Sequence, residues 1–182
     1  MADASLAERL TTGLPFRRNM PDYKAINAKA EALLSRHGVT QAPVPIKDIA
    51  EREGVDVQFV RFSTLGREVA GLTNFDDATI YVNADDQLNR QTFTIAHELG
   101  HWLLHRKLFE ESPQRYSVLL RTPTGGAYNT DPVEKEANAF AAAVLMPAPM
   151  VRRLKGLVGV REMARLFAVS PEAMEFRLKN VR

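Results

Sequence analysis

The chain has no cysteine in its 182 residues, which excludes disulfide cross-links, thiolate metal ligands and a cysteine nucleophile. Such a chain holds its fold by core packing alone and suits a reducing compartment. Long apolar runs are missing as well. None approaches the roughly 18–20 residues needed to span a bilayer. The opening MADASLAERLTTGLPFRRNM has no apolar centre after its charges, so no secretory signal is expected. The expectations are therefore a cytoplasmic location and no membrane partner. Strong charge is absent too: 24 Lys and Arg stand against 22 Asp and Glu, a formal net charge of +2. That imbalance is too slight to favour nucleic acid as a partner. Histidine is scarce, with four in all, which gives weight to where they fall.

What is present suits a globular protein with a real core, at 45% hydrophobic and 25% charged residues. Helix signals begin at Pro21-Asp22, with Ile26, Ala30, Leu33 and Leu34 on one face and Gly38 as the stop. A shorter helix is expected from Pro45 to about Glu53, ended by Gly54. Three strands are expected next, at Val55–Phe62, Val69–Phe75 and Ala78–Asn83, the last two joined by a turn at Asp76-Asp77. Their closeness in sequence predicts an antiparallel sheet. Leu88 to about Arg106 has a helical pattern, and residues 107–131, with Pro113, Pro123, Gly125 and Gly126, predict a long surface excursion. A further helix is expected from Pro132 to Met146, ending at Pro147, and two more at roughly Gly159–Phe167 and Ser170–Asn180.

The chemistry concentrates in His97-Glu98-Leu99-Gly100-His101. His97 and His101 lie four apart on a predicted helix, hence one above the other on one face. Two imidazoles so placed can reach one zinc ion at about 2.0–2.1 Å. Glu98, about 100° round the axis, stands beside the metal, where a general base would take a proton from an attacking water. A bare H-E-x-x-H also arises by chance, but here its flanks are apolar and uncharged (Thr94-Ile95-Ala96 and Trp102-Leu103-Leu104). Three of the four histidines fall between 97 and 105. Gly100 costs about 1 kcal/mol in a helix interior relative to alanine, so its presence predicts another element passing close.

A catalytic zinc needs a third protein ligand and an open position. His105 is about 12 Å from His97 along a straight helix, too far to share one ion. It is expected instead at the edge of the site, hydrogen-bonded behind a ligand or in the core. Glu134 and Glu136 remain, about 200° apart on their helix, so one of them is expected to face the active helix. Glu134 shares its face with Ala137, Asn138 and Ala141, small residues that permit close approach; Glu136 shares its face with Phe140 and Ala143, where a ring would hold helices apart. Packing therefore favours Glu134 as ligand, with Asn138 one turn on placed to hydrogen-bond a group near His97 or His101. An ordinary solvated helix charge is the usual fate of a glutamate in this setting.

Four segments, VPIKDIAEREGVDV, AGLTNFDDATIYVN, RQTFTIAHELGHWLLH and EKEANAFAAAVLMP, resemble the ImmA/IrrE family of metallopeptidases in their order and content. They cover roughly residues 40–150, and the last two are the specific ones. The family's ligand glutamate, the asparagine four later and the closing Met-Pro fall on Glu134, Asn138 and Met146-Pro147. The resemblance implies an α+β fold with a zincin-like (minigluzincin) core, mostly helical, with a small three-stranded antiparallel sheet above the active helix. It also implies cleavage of a partner helix-turn-helix transcriptional repressor, in stress responses or mobile elements. The expected organisation is a flexible lead-in over residues 1–20, the peptidase domain over 21–150, and a C-terminal helical tail over 151–182 packed on the core. That tail has the outline of a helix-turn-helix, but Glu172 and Glu175 occupy the start of its second helix, where phosphates would repel them. Packing or partner docking is expected there rather than direct nucleic-acid binding.

The reading is thus a regulatory zinc endopeptidase in which His97, His101 and Glu134 hold Zn²⁺, Glu98 is the general base, and Asn138 and His105 support the ligands. An oxyanion-stabilising side chain is expected, with Tyr116 and Tyr128 in the excursion as candidates. Two other classes compete: a non-catalytic interaction protein of a toxin–antitoxin-like pair, and a DNA-binding regulator with a vestigial metal site.

Overall fold

The computed structural model describes residues 21–62, 69–111 and 131–181. The lead-in over residues 1–20, and Tyr116 and Tyr128 with most of the expected excursion, lie outside the described residues. The order of elements is α1 (Tyr23–Arg36), α2 (Ile46–Arg52), β1 (Asp56–Val60), β2 (Gly71–Asn74), β3 (Thr79–Asn83), α3 (Leu88–Glu111), α4 (Pro132–Leu145), α5 (Ala148–Leu154), α6 (Val160–Leu166) and α7 (Pro171–Asn180). The class is α+β, mostly helical with one small sheet. No helix among the described residues is long and apolar enough to cross a membrane.

Helix α1 starts where the Asp22 carboxylate accepts the Ala25 N–H at 3.0 Å, satisfying a donor that the first turn leaves without a partner. It ends at Gly38, whose φ of +65° is a conformation that glycine adopts without strain. Its buried residues are Ile26, Ala30, Leu33 and Leu34, and α2 buries Ile46, Ile49 and Ala50.

The sheet corrects one expectation. Its order is β1-β3-β2, with β2 antiparallel to β3 but β1 parallel to β3, so it is mixed rather than antiparallel. Burial supplies the reason. β3 carries Ile80 and Val82, both fully buried, and the strand with most apolar surface to cover takes the centre. β2 is four residues long and begins at Gly71, with little to bury on both sides. The turn after β2 makes β2 and β3 a hairpin. β1 then completes the sheet along the other side of β3, from Asp56 opposite Thr79 to Val60 opposite Asn83.

Helix α3 runs to Glu111 rather than stopping near Arg106. Arg106 and Glu110, one turn apart, pair at 2.7 Å, a spacing that supports continued helix. Residues 107–111, expected in the excursion, are therefore helical. Helix α5 was not expected. Pro147 and Pro149 stop α4 and also fit the first turn of the next helix, where a missing N–H costs nothing.

Helix α4 lies between α3 and α1 and packs most extensively on α3. Met163 and Met174 of the last two helices, with Phe167 and Val181 just past their ends, join the same core as Leu99 and Phe140. Arg177 fastens that end: buried on α7, its Nε donates to the Met146 carbonyl at 2.9 Å, where α4 leaves acceptors unpaired.

Candidate metal centre

The α3 sequence puts His97, Glu98 and His101 on the side of the helix that faces protein, and each is only 1% exposed. Gly100 explains how α4 comes near enough to contribute. A Cβ there would lie 3.2 Å from Phe140 Cδ1 and 3.3 Å from Ala137 Cα, so the two helices touch with glycine at the crossing. Another element does pass close at Gly100, and it is α4.

Glu134 reaches across that contact. Its carboxylate lies 3.3 Å from His97 Nε2 and 3.2 Å from His101 Nε2, and the two Nε2 atoms are 3.0 Å apart. One donor atom from each residue lies within 4.8 Å of the others. His97 Nδ1 is 3.0 Å from Asn138 Oδ1. A carbonyl oxygen accepts only, so Nδ1 carries the proton and Nε2 holds a lone pair directed at Glu134. Electron pairs and a carboxylate in so small a space require shared protons or a cation to coexist. A metal ion meets that requirement at one point, and two imidazoles with a carboxylate are a donor set that fits one.

The electrostatics point the same way. Burial would raise the Glu134 carboxyl, but protons that His101 and His97 share with it, by hydrogen bond and Coulomb attraction, hold it well below the usual carboxylate range, and a cation on the same three atoms would act in the same direction. Burial pushes His105 down to about 4, against the pull of Glu136, so its imidazole is neutral at pH 7.

Glu98 points towards the sheet. Its Oε2 accepts the Thr73 hydroxyl at 2.8 Å, and that hydroxyl also lies 3.2 Å from the Glu98 carbonyl oxygen. Two periodicities match here. Gly71 and Thr73, two apart on β2, meet Thr94 and Glu98, four apart on α3: a Cβ on Gly71 would lie 2.5 Å from Thr94 Cγ2. Strand and helix advance about 6–7 Å over those intervals. Phe75 stacks on Trp102, ring centroids 5.6 Å apart, and Arg106 covers the Trp102 ring at 4.4 Å, fastening the hairpin to α3.

His105 is buried and its Nδ1 lies 3.2 Å from His101 Nδ1, while its Nε2 lies 2.9 Å from Glu136 Oε2. Here the sequence reasoning needs correction. Glu134 and Glu136 both reach α3, because Ala137 marks the contact line and the two lie about 60° and 100° to either side of it. Phe140 does not hold the helices apart, since its ring fills the space that Gly100 leaves open. The fourth histidine, His37, stands apart from the site and pairs with Glu53 at 2.8 Å. Thr73 and Glu136 were missed as site residues. Thr73 had no signal beyond its place on a strand near the motif, and Glu136 was set aside on the Phe140 argument.

The IrrE N-terminal-like domain of peptidase family M78 matches residues 50–179 of the chain. Metallopeptidase ImmA of Bacillus subtilis (strain 168) is 23% identical over 163 residues, covering 87% of this chain and 86% of the relative. The uncharacterized immunity region protein 2 of Bacillus phage phi105 is 26% identical over 140 residues, covering 76% of this chain and 78% of the relative. Among solved structures, a Mycobacterium tuberculosis transcriptional regulator superposes with a TM-score of 0.61 at 20% identity, over 85% of this chain. The chain spans about half of that structure, 47% of its length, and the likeness shows the fold alone.

Proposed function

The chain belongs to the M78 peptidases of the IrrE N-terminal-like type, and from that premise we propose that it is a zinc-dependent endopeptidase that cuts a regulatory protein, a helix-turn-helix repressor above all. The observation that carries the reading is the convergence of His97, His101 and Glu134 on one point, with ligand atoms within 4.8 Å of one another. Two imidazoles and a carboxylate suit zinc and leave a fourth position open for water or substrate.

When bound, the zinc ion would polarise the scissile carbonyl and make a water more acidic. The chain's own residues do the rest. Asn138 holds His97 with its Nε2 turned inward. Glu98 takes the proton from the attacking water and delivers it to the leaving amine. The Thr73 hydroxyl holds one oxygen of the Glu98 carboxylate, which leaves the group little rotational freedom. Burial of His97, Glu98 and Thr73 keeps bulk water from competing for the proton.

The protein substrate is supported by the relatives' names, a metallopeptidase and a phage immunity region protein, and the repressor by the motif resemblance. The acidic start of α7, Glu172 and Glu175, argues against a DNA-reading role for the last two helices.

The test is Glu98→Gln in the zinc-loaded protein, assayed against helix-turn-helix repressors and a proteome-derived peptide library by mass spectrometry. Zinc binding should persist while cleavage falls by about 100-fold or more, the usual contribution of a general base. Cleavage at the wild-type rate would remove Glu98 from that role. Cleavage by neither protein, with zinc bound, would favour an interaction protein that acts by contact.

A further inference from the structure

We propose that the cleft between the start of α3 and the α6–α7 turn docks an acidic segment of a partner protein, with an apolar side chain on its floor and carboxylates on its basic side. The proposal concerns what the protein holds rather than what it cuts. It also stands apart from the metal centre, since Leu88 precedes His97 by nine residues, about 14 Å along α3.

The cleft has a volume of about 520 Å³ and is lined by Leu88 of α3, Ala164 of α6, and Ala168 and Val169 of the turn, together with Arg161 and Arg165. The two arginines are four apart on α6 and so share a face. Leu88 is 75% exposed. A lone exposed leucine is ordinary on a protein surface, but this one shares a cleft with two guanidinium groups and an apolar floor. Ala168 shapes that floor under backbone strain. It follows α6 with a φ of +53°, where glycine is the unstrained residue. Its N–H and that of Val169 donate to the Arg165 and Ala164 carbonyls at 3.1 and 3.0 Å, so a methyl group is held in the cleft lining where glycine would have none.

The charge suits an acid. None of the described lining residues is acidic, and the first turn of α3 carries no acidic residue. The carboxylates just before α3 are already paired, Asp85 with Arg61 at 3.3 Å and Asp86 with Arg90 at 2.9 Å. Arg161 has no ion pair among the described residues. Arg165 meets Glu162 at 3.3 Å on the surface, a pairing that contributes little and exchanges readily. The bias extends beyond the cleft: residues 151–182 hold eight of the 24 Lys and Arg but three of the 22 Asp and Glu, a field that draws in an anionic partner. A phosphate backbone would satisfy the arginines, but it would leave Leu88 and Ala168 uncovered and would meet Glu162 and Glu172, each next in sequence to a lining residue. An acidic peptide with one large apolar side chain uses both halves of the surface.

The experiment selects short random displayed peptides on the full chain and on the Arg161→Glu/Arg165→Glu variant. Peptides enriched on the wild type should be net negative and carry a leucine, isoleucine, methionine or phenylalanine. Synthesised free, they should shift the backbone amide signals of Leu88, Arg161 and Val169. They should bind the charge-reversed variant at least about 10-fold more weakly and Leu88→Ser about 3- to 10-fold more weakly. Leu88, Arg161 and Arg165 are exposed, so urea denaturation should show all the proteins equally folded. No enrichment, enrichment of neutral or basic peptides, equal affinity for the charge-reversed variant, or signal changes confined to another face would each overturn the proposal. Tighter binding of a mixed-sequence DNA duplex, lost in the same variant, would make the cleft a phosphate site instead. Dimerisation in sedimentation that charge reversal abolishes would give it to a second copy of this chain.

Discussion

Gly100→Ala tests whether the α3–α4 contact sets the ligand spacing. The added Cβ would lie 3.2 Å from Phe140 Cδ1, 3.3 Å from Ala137 Cα and 3.4 Å from the Ala137 carbonyl oxygen. Ordinary carbon contacts sit at about 3.5–4.0 Å. The Phe140 ring is itself fully buried and the Ala137 atoms are backbone, so relief requires the helices to part by roughly 0.3–0.5 Å. Two opposing terms decide stability. Alanine gains about 1 kcal/mol over glycine in a helix interior, and overpacking costs about 1–3 kcal/mol. The net is a destabilisation of about 0–2 kcal/mol, small enough for the variant to fold. The effect on the metal is the sharper one. His97 and His101 ride on α3 and Glu134 on α4, while ligand distances tolerate only about 0.2 Å, so zinc affinity should fall by about 10-fold, near 1.4 kcal/mol. Urea denaturation of the metal-free protein and chelator competition for zinc measure the two quantities separately. A variant more stable by the whole propensity gain, with unchanged zinc affinity, would refute the claim that the helices touch at Gly100.

Two further perturbations follow from named contacts. Thr73→Val keeps the shape but removes the hydroxyl that donates to Glu98 at 2.8 Å; urea denaturation should register a loss of about 1–3 kcal/mol with zinc content unchanged, and a neutral result would mean that Glu98 does not depend on that donor. Glu53 accepts from Arg36 at 2.9 Å and from His37 at 2.8 Å, and although burial opposes it, His37 and Arg36 hold its carboxyl below the ordinary 4.5. A lowered carboxyl stabilises the fold above its unfolded value and loses that contribution as pH falls through the folded one. The stability difference between wild type and Glu53→Gln, about 1 kcal/mol at most for a partly solvated pair, should therefore be present at neutral pH and fade as pH falls below the ordinary 4.5 and through the lowered folded value; a difference that does not diminish at all with acidification would count against the ion pairs as its source.

The parts of the site legible in the sequence are those fixed by one helix. His97, Glu98 and His101 are neighbours by helical period alone. Glu134 emerged from its small-residue face, because close helix approach requires small residues wherever it occurs. The residues that were missed depend on contacts between elements. Thr73 meets Glu98 only because β2 lies at the sheet edge beside α3, and that follows from β3 taking the centre. Glu136 was set aside because Phe140 was read without its partner; the glycine that makes room for the ring is on another helix, 40 residues earlier in sequence. The parallel pairing of β1 with β3 was hidden for a similar reason, since chain proximity favours a meander and only burial shows which strand needs two neighbours. Helix α5 was lost to Pro147, which ends one helix and begins the next.

The most direct test of the account is the metal content of the freshly purified protein, before and after zinc is added back, beside Glu134→Ala and Glu136→Ala. About one zinc per chain in the wild type, lost in Glu134→Ala and retained at saturating zinc in Glu136→Ala, is the predicted result. No zinc in the wild type even after addition, or loss in Glu136→Ala with retention in Glu134→Ala, would contradict the assignment of His97, His101 and Glu134 as the metal centre.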